Sequence, residues 1–235
     1  LPLLHNIGVR VLDQRPYAGT PAGGREFQLY DFGVELPAGV DPEGPEDAKT
    51  EDLIEDTLCA VLSGRSESDS LDRLVLTERM GWRTVAVLRA YVRYLLQLGY
   101  SNSFEFIADT LVEYPRATRE LAELFSASFD PERFAEDDAA RERARESSLE
   151  RLDEVLDEVP SLDADRLFRS LADVVKATLR TNVFQSWPTM AFKLDPAAIP
   201  AAPQPRPAFE IWVWSPRVEG THLRFGHVAR GGLRW

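Results

Sequence analysis

Trp82-Arg83-Thr84-Val85-Ala86-Val87-Leu88-Arg89-Ala90-Tyr91-Val92-Arg93-Tyr94-Leu95-Leu96-Gln97-Leu98 is the longest apolar run at helical spacing in the sequence. Val85, Leu88, Val92, Leu95 and Leu96 fall on one face of a 3.6-residue helix. Arg83, Arg89 and Arg93 are left for the outside, and Gly99 suits a C-cap. A helix this apolar needs partners, and the flanking sequence supplies them. Leu53, Ile54, Leu58, Val61 and Leu62 form a stripe within 47–63, ended by Gly64. A short helix over 71–80 follows. Ser103 can cap a helix through Phe106, Ile107, Leu111 and Val112, stopped by Pro115. Helices over 116–128 and about 136–159 continue the series. Ser161 or Asp163 then caps a last one carrying Leu167, Leu171, Val174, Val175 and Leu179. The middle of the chain therefore reads as an all-helical module of about seven helices.

Both ends read as strands. Ile7–Leu12 alternates partly, and Phe27–Val34 alternates cleanly, with Pro16, Gly19, Pro21, Gly23 and Gly24 between them suggesting a long connection. Two strands make no stable sheet alone, and the opening Leu1-Pro2-Leu3-Leu4 carries no Met. Further strands are therefore expected upstream. A breaker-rich linker occupies 37–46. Near the other end, 189–194 reads as a short strand and 195–207 as a proline-rich connector. In Phe209-Glu-Ile-Trp-Val-Trp214, Phe209, Ile211 and Val213 share one face, and Glu210, Trp212 and Trp214 share the other. His222–Phe225 and His227–Ala229 suggest a hairpin around Gly226. The fold class expected is α+β, predominantly helical.

Of the 235 residues, 44% are hydrophobic and 28% charged, a globular composition. No apolar run nears the roughly 20 residues that span a bilayer, and no signal peptide opens the chain, so no membrane is expected. The single cysteine, Cys59, precludes an internal disulfide and points to the cytoplasm. Its place in an apolar helical run suggests a buried, inert thiol. A net charge of −12 argues against a nucleic-acid partner. The charge is uneven: 130–166 holds 14 acidic and 6 basic residues (−8), whereas 167–235 holds 9 basic and 4 acidic (+5). The acidic part suits a solvated helix face, and the basic part suits an anionic substrate.

His5, His222 and His227 form no metal-ligand pattern, and no dinucleotide or Walker fingerprint is present. The informative segment is Ala229-Arg230-Gly231-Gly232-Leu233-Arg234-Trp235. Adjacent glycines let a backbone approach a ligand closely, and the flanking arginines offer forks for carboxylates. A plain turn has the same composition.

Beyond these local patterns, the run Ser215–Trp235 closely resembles the entry to the catalytic domain of the large NAD-specific glutamate dehydrogenases. Leu3–Tyr17, Trp82–Tyr91 and Ala177–Asn182 resemble other parts of that family, so the likeness covers nearly the whole chain with gaps. Ser186–Ala191 departs from the family pattern. The resemblance implies the end of an ACT-like regulatory domain over 1–40, a helical module over 41–186 and the start of a substrate-binding subdomain over 187–235. It implies oxidation of L-glutamate to 2-oxoglutarate with NAD, in a homo-oligomer, a tetramer. In smaller members a Lys-Gly-Gly segment binds the substrate carboxylate; here that role falls to Arg230 beside Gly231 and Gly232. The catalytic lysine and the NAD site are implied to lie downstream, so no catalytic residue is expected in these 235 and the chain alone should be inactive. The competing reading is a non-catalytic helical module for regulation or oligomerisation.

Overall fold

The computed structural model describes residues 2–45, 49–134, 137–226 and 231–234. The fold is α+β with helices predominating. Helix α1 (Pro2–Asn6) leads through Ile7 and Val9, both buried, into strand β1 (Arg10–Gly19). Between them Gly8 has φ +95°, and a Cβ there would press to 3.3 Å from Pro37 Cγ, so glycine is required. Strand β2 (Phe27–Glu35) returns antiparallel, pairing Gly19 with Phe27 and Arg10 with Glu35. Sequence reading ended the first strand at Leu12. The structure instead carries it through Pro16, which an edge position tolerates because no N–H is lost from a neighbouring ladder. Both faces of the ribbon are largely open, exposing Leu12, Tyr17, Phe27, Leu29 and Tyr30.

The helical middle comprises α2 (Thr50–Leu62), α3 (Arg73–Thr77), α4 (Trp82–Gln97), α5 (Phe104–Glu113), α6 (Pro115–Phe129), α7 (Pro131–Phe134), α8 (Asp138–Asp157) and α9 (Leu162–Ala177). The caps behave as their chemistry dictates. Ser103 accepts from Phe106 N–H at 3.2 Å, and Ser161 accepts from Ala164 N–H at 3.3 Å. At the end of α4, Gly99 (φ +90°) donates to Leu96 O and Tyr100 donates to Leu95 O, a Schellman closure. Pro115 ends α5 and opens α6, where its missing N–H costs nothing. The seven helices expected are all present, with the single-turn α7 added among the described residues. The acidic α8 buries only Ser148, Leu152 and Leu156, so its charges face solvent as anticipated.

Helix α4 lies at the centre, buried from Val85 to Val92 without interruption. This corrects the reading of Arg89 as an outside residue: its side chain has 0% exposure. Asp69, which caps the 3-10 turn at Ser70–Asp72, and Asp72 itself reach it and neutralise it. Cys59 is also corrected. It is exposed, because Thr57 and Ala60 carry the inward face of α2 and a residue between them points away.

After α9 the chain forms a five-stranded antiparallel meander: β3 (Thr178–Thr181), β4 (Met190–Leu194), β5 (Phe209–Ser215), β6 (Val218–Arg224) and β7 (Gly232–Arg234), in that spatial order. Leu179, expected in the last helix, is instead in β3 and 49% exposed. Thr178 turns the chain out of the helix, its hydroxyl donating to Val174 O (2.9 Å) and meeting Tyr91 Oη (3.0 Å). One sheet face packs on α4 and α9. Phe192, Leu194, Trp212 and Trp214 are buried there; Trp212 Nε1 donates to Ala90 O at 2.9 Å, and the rings of Tyr91 and Phe192 are 5.0 Å apart.

Candidate functional site

The site is best built from β5, whose alternation sends Glu210, Trp212 and Trp214 inward and Phe209, Ile211 and Val213 outward. A carboxylate therefore lies beside two tryptophans, with Glu210 only 1% exposed. Burying a charge is unfavourable unless partners replace its water. Two do so. Tyr94 Oη, from α4, donates to Glu210 Oε2 at 2.8 Å, and Arg234, from β7, places Nη2 2.6 Å from the same oxygen and Nη1 3.3 Å from Oε1. Burial, reinforced by the Glu210 carboxylate, pushes the Tyr94 phenol well above its ordinary range, so it stays protonated and keeps donating.

Arg234 thus differs from its sequence reading. Of the two arginines flanking the glycines, this one takes the protein's own carboxylate rather than a ligand's. Arg230, the residue expected to meet substrate, lies outside the described residues, as does the expected strand at 227–229. Strand β6 ends at Arg224 and pairs instead with β7, Leu223 opposite Gly232 and Thr221 opposite Arg234. The two glycines are not equivalent. A Cβ on Gly231 would collide with the Leu223 carbonyl oxygen and the His222 ring, whereas one on Gly232 would touch only Leu223 Cδ1 at 4.0 Å. Gly231 is thus required by close backbone approach. Both are exposed.

The outer face of the same sheet is basic. Arg180, Lys193 and Arg224 line a hollow of about 310 Å³ floored by Phe209 and Ile211. Lys193 Nζ stands 4.1 Å from the Phe209 ring centre, and among the described residues neither Arg180 nor Lys193 has a carboxylate at ion-pairing distance. A larger hollow, about 800 Å³, lies at the root of the ribbon between Ile7, Val9, Pro37 and Arg73 and shares no residue with the glycine segment. Size alone is a poor guide here. The ribbon groove is apolar, while the polar groups able to orient a small anion converge on the C-terminal sheet.

His5 and His222 are exposed, and among the described residues no three His, Cys, Asp or Glu side chains are placed to hold a metal. Both sheets are antiparallel, and among the described residues no glycine-rich turn joins a strand to a helix N-terminus. No described helix is long and apolar enough to cross a membrane. Glu210 and Tyr94 were missed from sequence as members of the site. The one signal available was a lone acid sharing a face with two tryptophans.

Comparison with known proteins puts this segment, a helical support under an antiparallel sheet that ends in an anchored Gly-Gly strand, among the glutamate dehydrogenases. Residues 1–48 match the model for the glutamate dehydrogenase ACT3 domain, 66–131 the model for glutamate dehydrogenase helical motif 3, and 151–235 the model for the catalytic domain of bacterial NAD-glutamate dehydrogenase. The whole chain aligns with NAD-specific glutamate dehydrogenases of Halomonas elongata (43% identical), Pseudomonas aeruginosa (41%) and Mycobacterium tuberculosis (39%). It covers 14% of the first and 15% of the other two, about one seventh of each. More narrowly, then, the chain is similar along its whole length to a segment of the bacterial NAD-specific glutamate dehydrogenases.

Proposed function

We propose that the protein containing this segment converts L-glutamate, NAD and water to 2-oxoglutarate, ammonium and NADH, and that residues 230–234 belong to its substrate site. The division proposed is the end of a regulatory ACT-like unit (1–40), a helical module (41–186) and the start of the substrate-binding subdomain (187–235). The observation that carries the reading is the Gly231 backbone pressed against Leu223, where no side chain fits, on a strand anchored from within by Glu210. Such an arrangement leaves the outward side of the segment open to a ligand, on the same sheet that carries the basic hollow of Arg180 and Lys193. Arg230 is assigned to a substrate carboxylate, with Gly231 and Gly232 giving it room. An arginine fork there would take two carboxylate oxygens where a lysine takes one. NAD binds outside these residues in this reading, and the assembly is a cytoplasmic homo-oligomer, a tetramer.

The test is the full-length protein assayed with glutamate and NAD. Arg230→Ala should raise the glutamate KM and lower kcat/KM by about ten- to a hundred-fold, the size of a lost charge-assisted contact, with NAD binding unchanged. Arg230→Lys should recover part of it. An unchanged kcat/KM in Arg230→Ala rejects the assignment, and no glutamate turnover by the wild type rejects the function.

A further inference from the structure

Among the described residues, strand β7 (Gly232–Arg234) pairs with β6. Gly232 contributes no side chain, and Leu233 points outward, 60% exposed. Arg234 is therefore the only one of the three whose side chain reaches the interior, and what it grips there is Glu210. The grip has a fixed end. Glu210 Oε2 receives both Arg234 Nη2 and the Tyr94 hydroxyl, and Tyr94 has 0% exposure within the central helix α4. The hydroxyl holds the carboxylate in one orientation, and the carboxylate in turn sets where the guanidinium, and so the strand, comes to rest.

We propose that Glu210 and Tyr94 are positioning residues for the substrate segment. Acting through Arg234, they fix the depth and register of Gly231–Gly232, so that helix α4 sets the geometry with which the protein meets its substrate. The proposal rests on the reading of 230–234 as substrate-binding, and it deepens that reading by placing control of the site in Tyr94 of the helical module, 116 residues before Glu210. Tyr94→Phe deletes only the hydroxyl and leaves the ring packed 5.8 Å from Trp212.

The experiment compares full-length wild type with Tyr94→Phe, Glu210→Gln and the double variant Glu210→Gln/Arg234→Met. Three readouts are taken: glutamate and NAD kinetics, thermal midpoint, and amide hydrogen exchange of 231–234. Misplacement on the ångström scale lowers rates by about a hundred-fold. Tyr94→Phe should therefore lose roughly ten- to a hundred-fold in glutamate kcat/KM, with the NAD KM unchanged and β7 amides exchanging faster. The double variant replaces the buried pair with neutral groups, so its thermal midpoint should recover relative to Glu210→Gln while glutamate kcat/KM does not. A purely structural role would make the two recover together, and that result overturns the proposal. Unchanged β7 exchange in Tyr94→Phe also overturns it, even if the wild type proves inactive on glutamate. That inactivity would reject the functional reading instead.

Discussion

The Arg89 guanidinium, wholly enclosed, donates from Nη2 to both Asp72 Oδ1 (2.9 Å) and Asp69 Oδ1 (3.0 Å), and from Nε to Asp69 Oδ2 (2.7 Å). One cation thus faces two carboxyl groups, Asp72 enclosed and Asp69 partly open to solvent. Burial raises the Asp72 carboxyl above its ordinary range, with Arg89 and Ser68 opposing the shift. The folded state therefore holds the Asp72 proton more tightly than the unfolded state, and this group withdraws stability as pH rises through the raised value. Asp72→Asn, neutral at every pH, should gain on the wild type in thermal midpoint as pH rises from about 4 to 7. A gap that stays constant over that range would mean that Asp72 titrates as it does when unfolded.

Cys59 stands on the outer surface of α2. One equivalent of an aromatic disulfide reagent should be consumed by the native protein at neutral pH without denaturant, and none by Cys59→Ser. Reaction only after unfolding would place the thiol in the interior.

Gly231 has no room for a methyl group between its own backbone and the Leu223 carbonyl. Gly231→Ala should break the pairing of Leu223 with Gly232 and speed amide exchange in β7, while α4 and α9 keep their protection. Gly232→Ala, with 4.0 Å of clearance, should leave exchange nearly unchanged. Equal effects from the two would contradict the geometry.

Leu88 is 3% exposed in the central helix. Leu88→Ala should lower unfolding free energy by about 2–5 kcal/mol, read as a lower denaturant midpoint. A midpoint unchanged within error would show that this part of α4 is not core.

Much of the helical framework was legible because capping and periodicity are local. Ser103, Ser161, Gly99 and Pro115 each act within one turn of their own position, so the chain alone discloses them. What stayed hidden depends on partners far along the chain. Arg89 read as a surface charge because nothing nearby announces that Asp69 and Asp72 fold back over it. Glu210 was placed correctly with Trp212 and Trp214, yet alternation does not say which face of a strand is covered, and the face with the acid proved to be the inner one. Leu179 extended a helical apolar spacing, but the backbone turns extended at Thr178 and begins β3 there. In the candidate site, the need for glycine was legible at Gly231. The opposite employment of Arg234 was not, since an arginine's partner is a matter of tertiary placement.

The hydrogen bond from Trp212 to Ala90 joins residues 122 positions apart. On a ribosome adding about 5–20 residues per second, the apolar flank of α4 emerges roughly 6–24 seconds before the strand that covers it. During that interval Tyr91 and Tyr94 have neither Phe192 nor Glu210 to meet. The nascent chain therefore passes through a stage in which its central helix is half-clothed, and slow synthesis through 100–210 lengthens its exposure to chaperones and to other unfinished chains.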